Sequence, residues 1–397
     1  MKWASTIAIG KGLKAAIDEN AKAIMEELGP DYEPTILAVF LSASYSNEYV
    51  NATKMIRTHF PNSTIIGCSA QSVIGNCIEE ENDRAVSITA GYLPNVSIHP
   101  FRITQENLPT PDDSPDEWIN LIGVEPNKNN GIVILMDPFT ASGDAVLAGL
   151  DFAYPEVTKV GGIASGGYNP GMNILFLNDA AYSDGVVGLT FSGEIEIDSV
   201  VAQGCRPLGE TKRITKSHNN LLLEIDGEAP IIYLKSLYES LSKDDQELVK
   251  NSLFIGMAID ATLEADELKL GDFLIRNIVG VDQEKQILAV NQNLHEGQII
   301  QFHVRDAHSS GKDLDYQLDD YIQSHGINST KGALLFQCNG RGFNMYRKSN
   351  HDSGQFKKHL KSTALGGFFC GGEIGQVGDF TYIHGFTSVI ALFRVPS

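Results

Sequence analysis

The stretch Gly366-Gly367-Phe368-Phe369-Cys370-Gly371-Gly372-Glu373-Ile374-Gly375 interrupts an apolar run with a double glycine and a single carboxylate, and a second apolar run follows in residues 384–393. Glycine has no Cβ, so the backbone at such a point can turn tightly or approach a ligand closely. A carboxylate on the turn could satisfy nearby N–H groups or face a ligand. The pattern predicts two strands joined through a glycine loop.

The same pattern occurs twice earlier in the chain. In each case an apolar run typical of a buried strand is followed by a helix, by a second strand that ends in small residues, and by a third strand. The first strands are residues 36–41, 132–136 and 333–336, and the loops follow Gly67, Gly162 and Gly367. This self-similarity predicts one unit, β-α-β-glycine loop-β, used three times. It would bring three glycine loops to equivalent strand ends, where open sheets commonly bind ligands.

The rest of the chain completes the fold prediction. Residues 4–28 show the 3.6-residue spacing of a helix, whereas short extended stretches bounded by turns fill residues 253–259, 271–282, 287–291 and 298–306. We expect an α/β (α+β) fold of mixed β-sheets with helices on their outer faces, plus an antiparallel portion in the C-terminal half. The predicted segments are an N-terminal helix in residues 1–30 and domains in residues 31–225 and 226–397.

The charge balance limits the classes of partner. The 397 residues include 30 basic and 50 acidic side chains, which gives a net charge of −20. Nucleic acids and anionic membranes attract basic surfaces, so we expect neither as a partner. No run approaches the ~20 apolar residues that a membrane helix needs. Residues 1–10 also lack the long apolar core of a signal peptide.

The cysteines favour a reducing compartment. Their number is odd and no CxxC pair occurs among them, so they predict neither a disulfide framework nor a structural zinc site. Their positions are Cys68, Cys77, Cys205, Cys338 and Cys370. We therefore expect a cytoplasmic protein.

Short motifs spread along the whole chain point to a known family. They are residues 37–42, 66–69, 161–162, 166–167, 204–209, 226–227, 276–280, 301–306, 339–342, 372–375 and 384–387. In order and coverage this set resembles the FIST proteins, in which a FIST N-terminal domain precedes a FIST C-terminal domain. Under this resemblance residues 31–225 form the first domain and residues 226–397 the second.

The resemblance implies a sensory role. FIST domains occur in bacterial signalling proteins beside transmitter or receptor modules and in eukaryotic F-box proteins, and they are thought to bind small ligands such as amino acids. About thirty residues precede the first domain and none follow the second, so we expect no F-box, kinase or methyl-accepting module within the chain. Output would then pass through a separate protein partner.

The predicted ligand site combines the glycine loops with the polar residues beside them. Glu373 could accept hydrogen bonds from an ammonium group, and Arg341 could pair with a ligand carboxylate. The two side chains could equally pair with each other and only link the loops. The full predicted set is Ser69, Ser165, Gly166, Gly167, Asn339, Arg341, Gly371, Gly372 and Glu373. We expect the ligand to lie between the N-terminal and C-terminal parts.

Two cysteines allow a catalytic alternative. Cys68 and Cys370 align beside the glycine loops, and a nucleophilic cysteine needs a lowered pKa and a nearby histidine, for which His384 is available. The repeat also explains both cysteines as small apolar residues in crowded strands.

Metal and nucleotide cofactors are not expected. His303 and His308 would lie on opposite faces of an extended segment and could not share a metal with Asp306. Residues 161–171 are rich in glycine but match neither of the two common phosphate-binding patterns.

Three functions remain open from the sequence. We predict a small-ligand-binding sensory protein without enzymatic activity, and glycine loops that lie far apart would contradict this prediction. The alternatives are an interaction scaffold like the substrate-presenting part of F-box proteins and a cysteine-dependent hydrolase.

Overall fold

The chain folds into two compact units. The computed structural model describes residues 1–260, 262–264, 267–268 and 271–396. The larger unit consists of Met1–Ala202 and Leu314–Ser397, and the smaller unit is Gln203–Asp313. The compact units therefore divide at residues 202–203 and 313–314.

The secondary structure of the described residues is as follows. The strands are β1 (Lys2–Ile9), β2 (Ile36–Ser42), β3 (Thr64–Ala70), β4 (Val73–Gly75), β5 (Ile78–Glu80), β6 (Ala85–Tyr92), β7 (Val96–Ile103), β8 (Gly131–Met136), β9 (Lys159–Ile163), β10 (Leu175–Leu177), β11 (Ala180–Tyr182), β12 (Val186–Gly193), β13 (Glu196–Ala202), β14 (Cys205–His218), β15 (Leu221–Ile225), β16 (Leu253–Ala258), β17 (Phe273–Asp282), β18 (Ile287–Val290), β19 (Ile299–Arg305), β20 (Thr330–Cys338), β21 (Ala364–Cys370), β22 (Glu373–Val377), β23 (Phe380–His384) and β24 (Ser388–Arg394). The helices are α1 (Leu13–Leu28), α2 (Tyr49–Arg57), α3 (Pro115–Ile122), α4 (Gly143–Ala153), α5 (Pro230–Ser240), α6 (Lys243–Ser252), α7 (Ala307–His325), α8 (Phe343–Tyr346) and α9 (His351–His359).

Within the described residues the larger unit contains three six-stranded sheets with one common topology. Sheet I has the order β1-β6-β2-β3-β10-β11, sheet II the order β7-β12-β8-β9-β22-β23, and sheet III the order β13-β24-β20-β21-β4-β5. In each sheet the two central strands are parallel and all other neighbours are antiparallel. The predicted threefold repeat is confirmed, and it is distributed over three sheets.

Each repeat gives its hairpin to another repeat. The hairpin β4–β5 follows β3 of sheet I in the chain but pairs with β21 of sheet III. In the same way β22–β23 follows β21 but pairs with β9 of sheet II, and β10–β11 follows β9 but pairs with β3 of sheet I. The exchange runs once around the three sheets and closes on itself, so every sheet is completed by another repeat.

One glycine in each repeat is required by the parallel strand pair. These residues are Gly67, Gly161 and Gly367. A Cβ at these positions would lie 1.9, 1.8 and 1.9 Å, respectively, from a carbonyl oxygen of the neighbouring parallel strand. The predicted alignment was therefore wrong by one residue in the second repeat, because two adjacent glycines, Gly161 and Gly162, cannot be distinguished by spacing alone.

The core of the larger unit lies between the three sheets, whose inner faces share one apolar cluster. Phe368 is central to it, with ring centroids 4.7 Å from Phe40 and 5.8 Å from Phe336. The outer faces pack against α1 and α2 on sheet I, α3 and α4 on sheet II, and α7 and α9 on sheet III. The predicted helices on the outer faces are confirmed. Every helix in the described ranges is too short or too polar to cross a membrane.

The N-terminal segment differs from its prediction. Only α1 is helical, whereas Lys2–Ile9 forms β1 and pairs along its whole length with β6. Ala4 and Ala8 have helical spacing, but Thr6, Ile7 and Ile9 are β-branched and favour a strand. The predicted helix in residues 1–30 is therefore correct only from Leu13. The strand β1 takes the same edge place in sheet I that β7 and β13 take in the other two sheets.

The smaller unit is antiparallel, as predicted. Its strands close into a barrel in the order β14-β15-β18-β17-β16-β19. The four predicted extended stretches correspond to β16, β17, β18 and β19, and two helices, α5 and α6, accompany them. Part of the segment between β16 and β17 lies outside the described residues.

Candidate functional site

Three loops meet at one end of the larger unit, and we call them the loop hub (residues 69–72, 163–167 and 369–372). They follow β3, β9 and β21, which are the second parallel strands of the three sheets. One type of backbone hydrogen bond joins successive repeats here: Ser69 N to Ile174 O at 2.8 Å, Ile163 N to Gly372 O at 2.8 Å, and Phe369 N to Ser72 O at 2.9 Å. The predicted glycine loops are therefore brought together.

A second set of hydrogen bonds in the loop hub is only partly symmetric. The N–H of Ser165 donates to the carbonyl of Ser69 at 3.2 Å, and the N–H of Gly371 donates to the carbonyl of Ile163 at 2.9 Å. Each bond joins equivalent atoms of successive repeats. Symmetry would then require a third bond from the N–H of Gln71 to the carbonyl of Phe369.

The hydroxyl of Ser165 takes the place of this third bond. It accepts from Gln71 N at 2.8 Å and donates to the carbonyl of Phe369 at 2.5 Å. Ser165 is 5% exposed, so the side chain is an internal bridge between the first and third repeats. The predicted residue Ser165 thus has a defined structural role at the centre of the hub.

Substitution of Ser165 by alanine is expected to lower the free energy of unfolding by about 1–3 kcal/mol, because the N–H of Gln71 and the buried carbonyl of Phe369 would lose their partner. Chemical denaturation of the variant measures the loss. Ser44→Ala is the matched control, since Ser44 is exposed and its loss should change stability by less than about 0.5 kcal/mol. Equal stabilities of the two variants would contradict the bridging role.

The second repeat carries an insertion in the hub. Gln71 is followed directly by Ser72, and Gly371 directly by Gly372, whereas eight residues separate Ser165 from Ile174. We call residues 166–173, with the sequence GGYNPGMN, the insert loop. It breaks the symmetry of the three repeats at the point where their loops meet.

The insert loop is anchored at its base and exposed at its tip. Asn173 is fully buried, and its Oδ1 accepts from Gly167 N at 2.9 Å. Gly166 has φ +93° and a Cβ there would lie 3.0 Å from the carbonyl oxygen of Ala70, so this position requires glycine. At the tip the side chain of Tyr168 is 77% exposed. The predicted glycines Gly166 and Gly167 therefore shape a loop that presents an aromatic side chain to solvent.

Glu373 is the first residue of β22 and follows directly after the third loop of the hub. It is fully buried and occupies the position that Val73 and Leu175 take in the other two exchanged hairpins. Its Oε2 accepts a hydrogen bond from Thr387 N at 3.0 Å. The neighbouring Gly371 is exposed. A single carboxylate thus replaces an apolar side chain at the edge of the common core, next to the exposed surface of the hub.

Arg341 pairs with a residue that the sequence analysis did not select. The side chain is fully buried, and its Nε lies 2.6 Å from Oδ2 of Asp352, which is also fully buried. Asn339, two residues before Arg341, is joined to the hub by a 3.1 Å bond from its N–H to the carbonyl of Cys370. The arginine is therefore held in an internal ion pair beside the hub.

Asp352 is the centre of a buried polar cluster outside sheet III. Its carboxylate also accepts from Ser388 Oγ at 2.7 Å and contacts His351 Nδ1 at 2.8 Å. Arg341 and these hydrogen bonds outweigh the effect of burial and hold the pKa of Asp352 below its ordinary range. Glu79 lies near: its Oε1 accepts from Ser353 N at 2.8 Å. Burial and the charge of Asp352 raise the pKa of Glu79 to about 7.

The surroundings of the two candidate cysteines disfavour the thiolate form that a nucleophile needs. Burial raises the pKa of both Cys68 and Cys370 well above the usual value. The strand registers align Cys370 with Ala70 and not with Cys68, so the predicted equivalence of the two cysteines was wrong. His384 hydrogen-bonds through Nε2 to the carbonyl of Gly375 at 3.1 Å.

Other sequence candidates are separated by the fold. His303 is buried in β19, where desolvation lowers its pKa to about 4, whereas His308 belongs to α7. In the part of the chain that the structure describes, no three His, Cys, Asp or Glu side chains are grouped as metal ligands would be.

Comparison with family models and known proteins identifies the family. The FIST N domain model matches residues 35–228 and the FIST C domain model matches residues 232–376. An uncharacterized protein of Mycobacterium tuberculosis is 31% identical over 392 residues, covering 97% of this chain and 99% of that protein. One from Mycobacterium bovis is 30% identical over 381 residues, covering 96% and 95%. Human F-box only protein 22 is 35% identical over 81 residues, which are 16% of this chain and 20% of that protein.

Among solved structures, a cyanuric acid hydrolase from A. caulinodans aligns over 100% of this chain and 99% of its own, with a TM-score of 0.35 and 8% identity. This likeness is too weak to bear on function. The family models, in contrast, cover nearly the whole sequence. The chain belongs to the FIST family, whose domains are generally sensory domains of signal-transduction proteins.

Proposed function

We propose that this protein is a cytoplasmic sensor that binds a small polar ligand at the loop hub, beneath the insert loop, and signals through a separate protein partner. The observation that carries the proposal is the asymmetry of the hub. Three equivalent loops meet there, and only the second repeat adds eight residues with an exposed aromatic side chain. An anchored, glycine-rich loop above converging strand ends is a common arrangement for ligand binding.

The chemistry of the hub favours a ligand with both donors and acceptors. Its exposed residues are Gln71 and Gly371, and Tyr168 of the insert loop is exposed as well. Glu373 supplies a buried carboxylate two residues after the exposed Gly371. A small opening of this turn would let an ammonium group reach the carboxylate. Amino acids and related metabolites are therefore the first class to test.

The proposal also includes a cytoplasmic location and no catalytic activity. All five cysteines are free, which agrees with a reducing compartment such as the cytoplasm. The raised pKa values of Cys68 and Cys370 argue against a thiolate nucleophile at neutral pH, so we include no enzymatic step.

Removal of the insert loop is the most direct test. In a variant that joins Ser165 directly to Ile174, the second repeat would have the short connection of the other two, and we expect it to fold. A ligand at a hundred times its dissociation constant stabilises a protein by about 2.7 kcal/mol. A thermal-shift screen of amino acids and metabolites should therefore reveal a ligand with the full chain, and the response should be lost in the deletion variant.

Two point variants sharpen this test. Tyr168→Ala should weaken the response by removing a contact at the tip of the loop, and Glu373→Gln should abolish a response that depends on an ammonium group. Phe152→Ala is the matched control, because Phe152 is 60% exposed on α4, outside the hub. A ligand response that persists in the deletion variant would contradict a site at the hub.

A second candidate function is an interaction scaffold. Large apolar side chains are exposed in the segments that follow β8, β9 and β20: Phe139 at 42%, Tyr168 at 77%, Met172 at 49% and Phe343, at the start of α8, at 46%. Exposed apolar surface of this kind often marks protein interfaces. The similarity to part of an F-box protein adds to this candidate. If no ligand in a broad library stabilises the protein, the scaffold becomes the preferred function.

A further inference from the structure

A fully buried amide distinguishes sheet III from the other two sheets. Gln337 is 0% exposed, and the positions equivalent to it in β2 and β8 are the apolar residues Leu41 and Met136. Both polar atoms of the Gln337 side chain, Oε1 and Nε2, have no hydrogen-bond partner among the described residues. Burying an amide group without hydrogen-bond partners is strongly unfavourable. The amide is therefore unfavourable unless a polar group binds it.

The side chain of Gln337 faces the buried polar cluster around Asp352. Gln337 is the ladder partner of Ser388, and directly paired residues of antiparallel strands project from the same face of the sheet. Ser388 donates to Asp352 at 2.7 Å. The amide thus lies on the side of sheet III where α9 and its aspartate pack.

Glu79 approaches the same cluster from the exchanged hairpin. It is 5% exposed, its Oε1 is occupied by the N–H of Ser353, and its Oε2 has no partner among the described residues. Acceptor oxygens of Gln337 and Glu79, from strands β20 and β5, are therefore available beside one aspartate.

The local charges favour a cation. The titratable or charged groups around Glu79 are Asp352, Arg341, His351, Glu81, Cys77 and Lys357. Within the buried centre Arg341 pairs with Asp352, and the charges of Asp352 and Glu81 both raise the pKa of Glu79. A buried carboxylate of this kind is costly unless a cation or a proton neutralises it.

We propose that Gln337 and Glu79 form an internal site for a primary ammonium group, separate from the loop hub. A primary ammonium carries one positive charge and N–H donors with no acceptor, which suits a buried carboxylate and acceptor oxygens that have no partner among the described residues. The inference does not depend on the proposed function, since its residues lie outside the insert loop and include neither Glu373 nor Tyr168.

Methylammonium chloride is the probe for this site. We expect the melting temperature of the full chain to rise in a saturable way with methylammonium at pH 8. It should not rise with equal concentrations of tetramethylammonium chloride, which has the same charge but no N–H donor, or of sodium chloride. Because the pKa of Glu79 is raised to about 7, the apparent dissociation constant should be about tenfold higher at pH 6, where only a small fraction of Glu79 is ionised. Equal melting temperatures in methylammonium and tetramethylammonium would overturn the proposal.

Variants locate the response. Gln337→Met places the residue of the second repeat, Met136, at the equivalent position, so it should fold and should lose the response to methylammonium. Glu79→Gln should lose it as well. Glu373→Gln should retain the response, because Glu373 belongs to the hub. A response that persists in Gln337→Met, or one that disappears in Glu373→Gln, would overturn the assignment to this cluster.

Discussion

Gly161→Ala is expected to remove most of the stability of the protein, with a loss of more than about 4 kcal/mol in the free energy of unfolding. The added Cβ would lie 1.8 Å from the carbonyl oxygen of Ile134 and 2.8 Å from its carbonyl carbon. Both atoms belong to the backbone of β8, so no side-chain rotation relieves the overlap. The parallel pair at the centre of sheet II would have to separate. Circular dichroism and urea denaturation of the purified variant measure the effect.

Gly354→Ala is the matched control for this prediction. Gly354 lies in α9, and a Cβ there would meet nothing within 4 Å. Alanine in a helix is more stable than glycine by roughly 0.5–1 kcal/mol, so this variant should be as stable as the original chain or slightly more stable. If Gly161→Ala lowered stability by less than about 1 kcal/mol, the close approach of β8 and β9 would be contradicted.

Asp352→Ala is expected to cost about 3–5 kcal/mol, because it leaves Arg341 buried and without its carboxylate. Both side chains are 0% exposed, so water cannot replace the lost partner. The effect should appear as a lower urea midpoint with an unchanged slope. Asp315→Ala is the control, because Asp315 pairs with His359 at the surface and is 45% exposed; such pairs contribute at most about 1 kcal/mol.

A double variant tests whether the loss of stability in Asp352→Ala comes from breaking the buried ion pair. Combining Arg341→Met with Asp352→Leu removes both charges and fills the space with apolar atoms, so the double variant should lose much less stability than the two single losses added together. Additive losses would show that the pair is not coupled.

The pH dependence of the pair follows from the lowered pKa of Asp352. Its folded pKa lies below the ordinary value of 3.8. Its contribution is therefore present above about pH 4 and is lost as the pH falls through the folded pKa. The Asp352→Ala variant should show a smaller loss of stability on acidification than the original chain does.

The repeated architecture could be predicted because the strands and helices of each repeat have recognisable local sequence patterns. Apolar runs such as residues 36–41 and 132–136 have the character of strands buried on both faces, and the helices between them have amphipathic spacing. The same reasoning failed at β1, where the identity of the element is decided by its pairing with β6, whose partner residues lie between 76 (Ile9 to Ala85) and 90 (Lys2 to Tyr92) positions away in the sequence. Local spacing carries no information on such a partner.

The candidate site was predictable only in part, for a similar reason. Glycines before polar residues, such as Gly166 and Gly372, indicated loops near a ligand, and these loops do meet. The partner of Arg341 could not be predicted, because Asp352 lies in a helix and nothing in the local sequence shows that its carboxylate is buried. Glu79 reaches the same place through the hairpin exchange. The one available signal was Gln337, a polar residue within an otherwise apolar run.

The hairpin exchange also constrains how the protein emerges during translation. Strands β7, β8, β9 and β12 of sheet II are complete once Gly193 has been synthesised, yet the hairpin that completes the sheet spans residues 373–384. Sheet III in turn requires β4 and β5, which are made long before its other strands. A ribosome-bound chain that lacks its third repeat therefore exposes an unpaired edge at β9 and carries an unpaired hairpin β4–β5. Open strand edges of this kind recruit other chains, so the nascent protein needs protection until the last repeat leaves the exit tunnel.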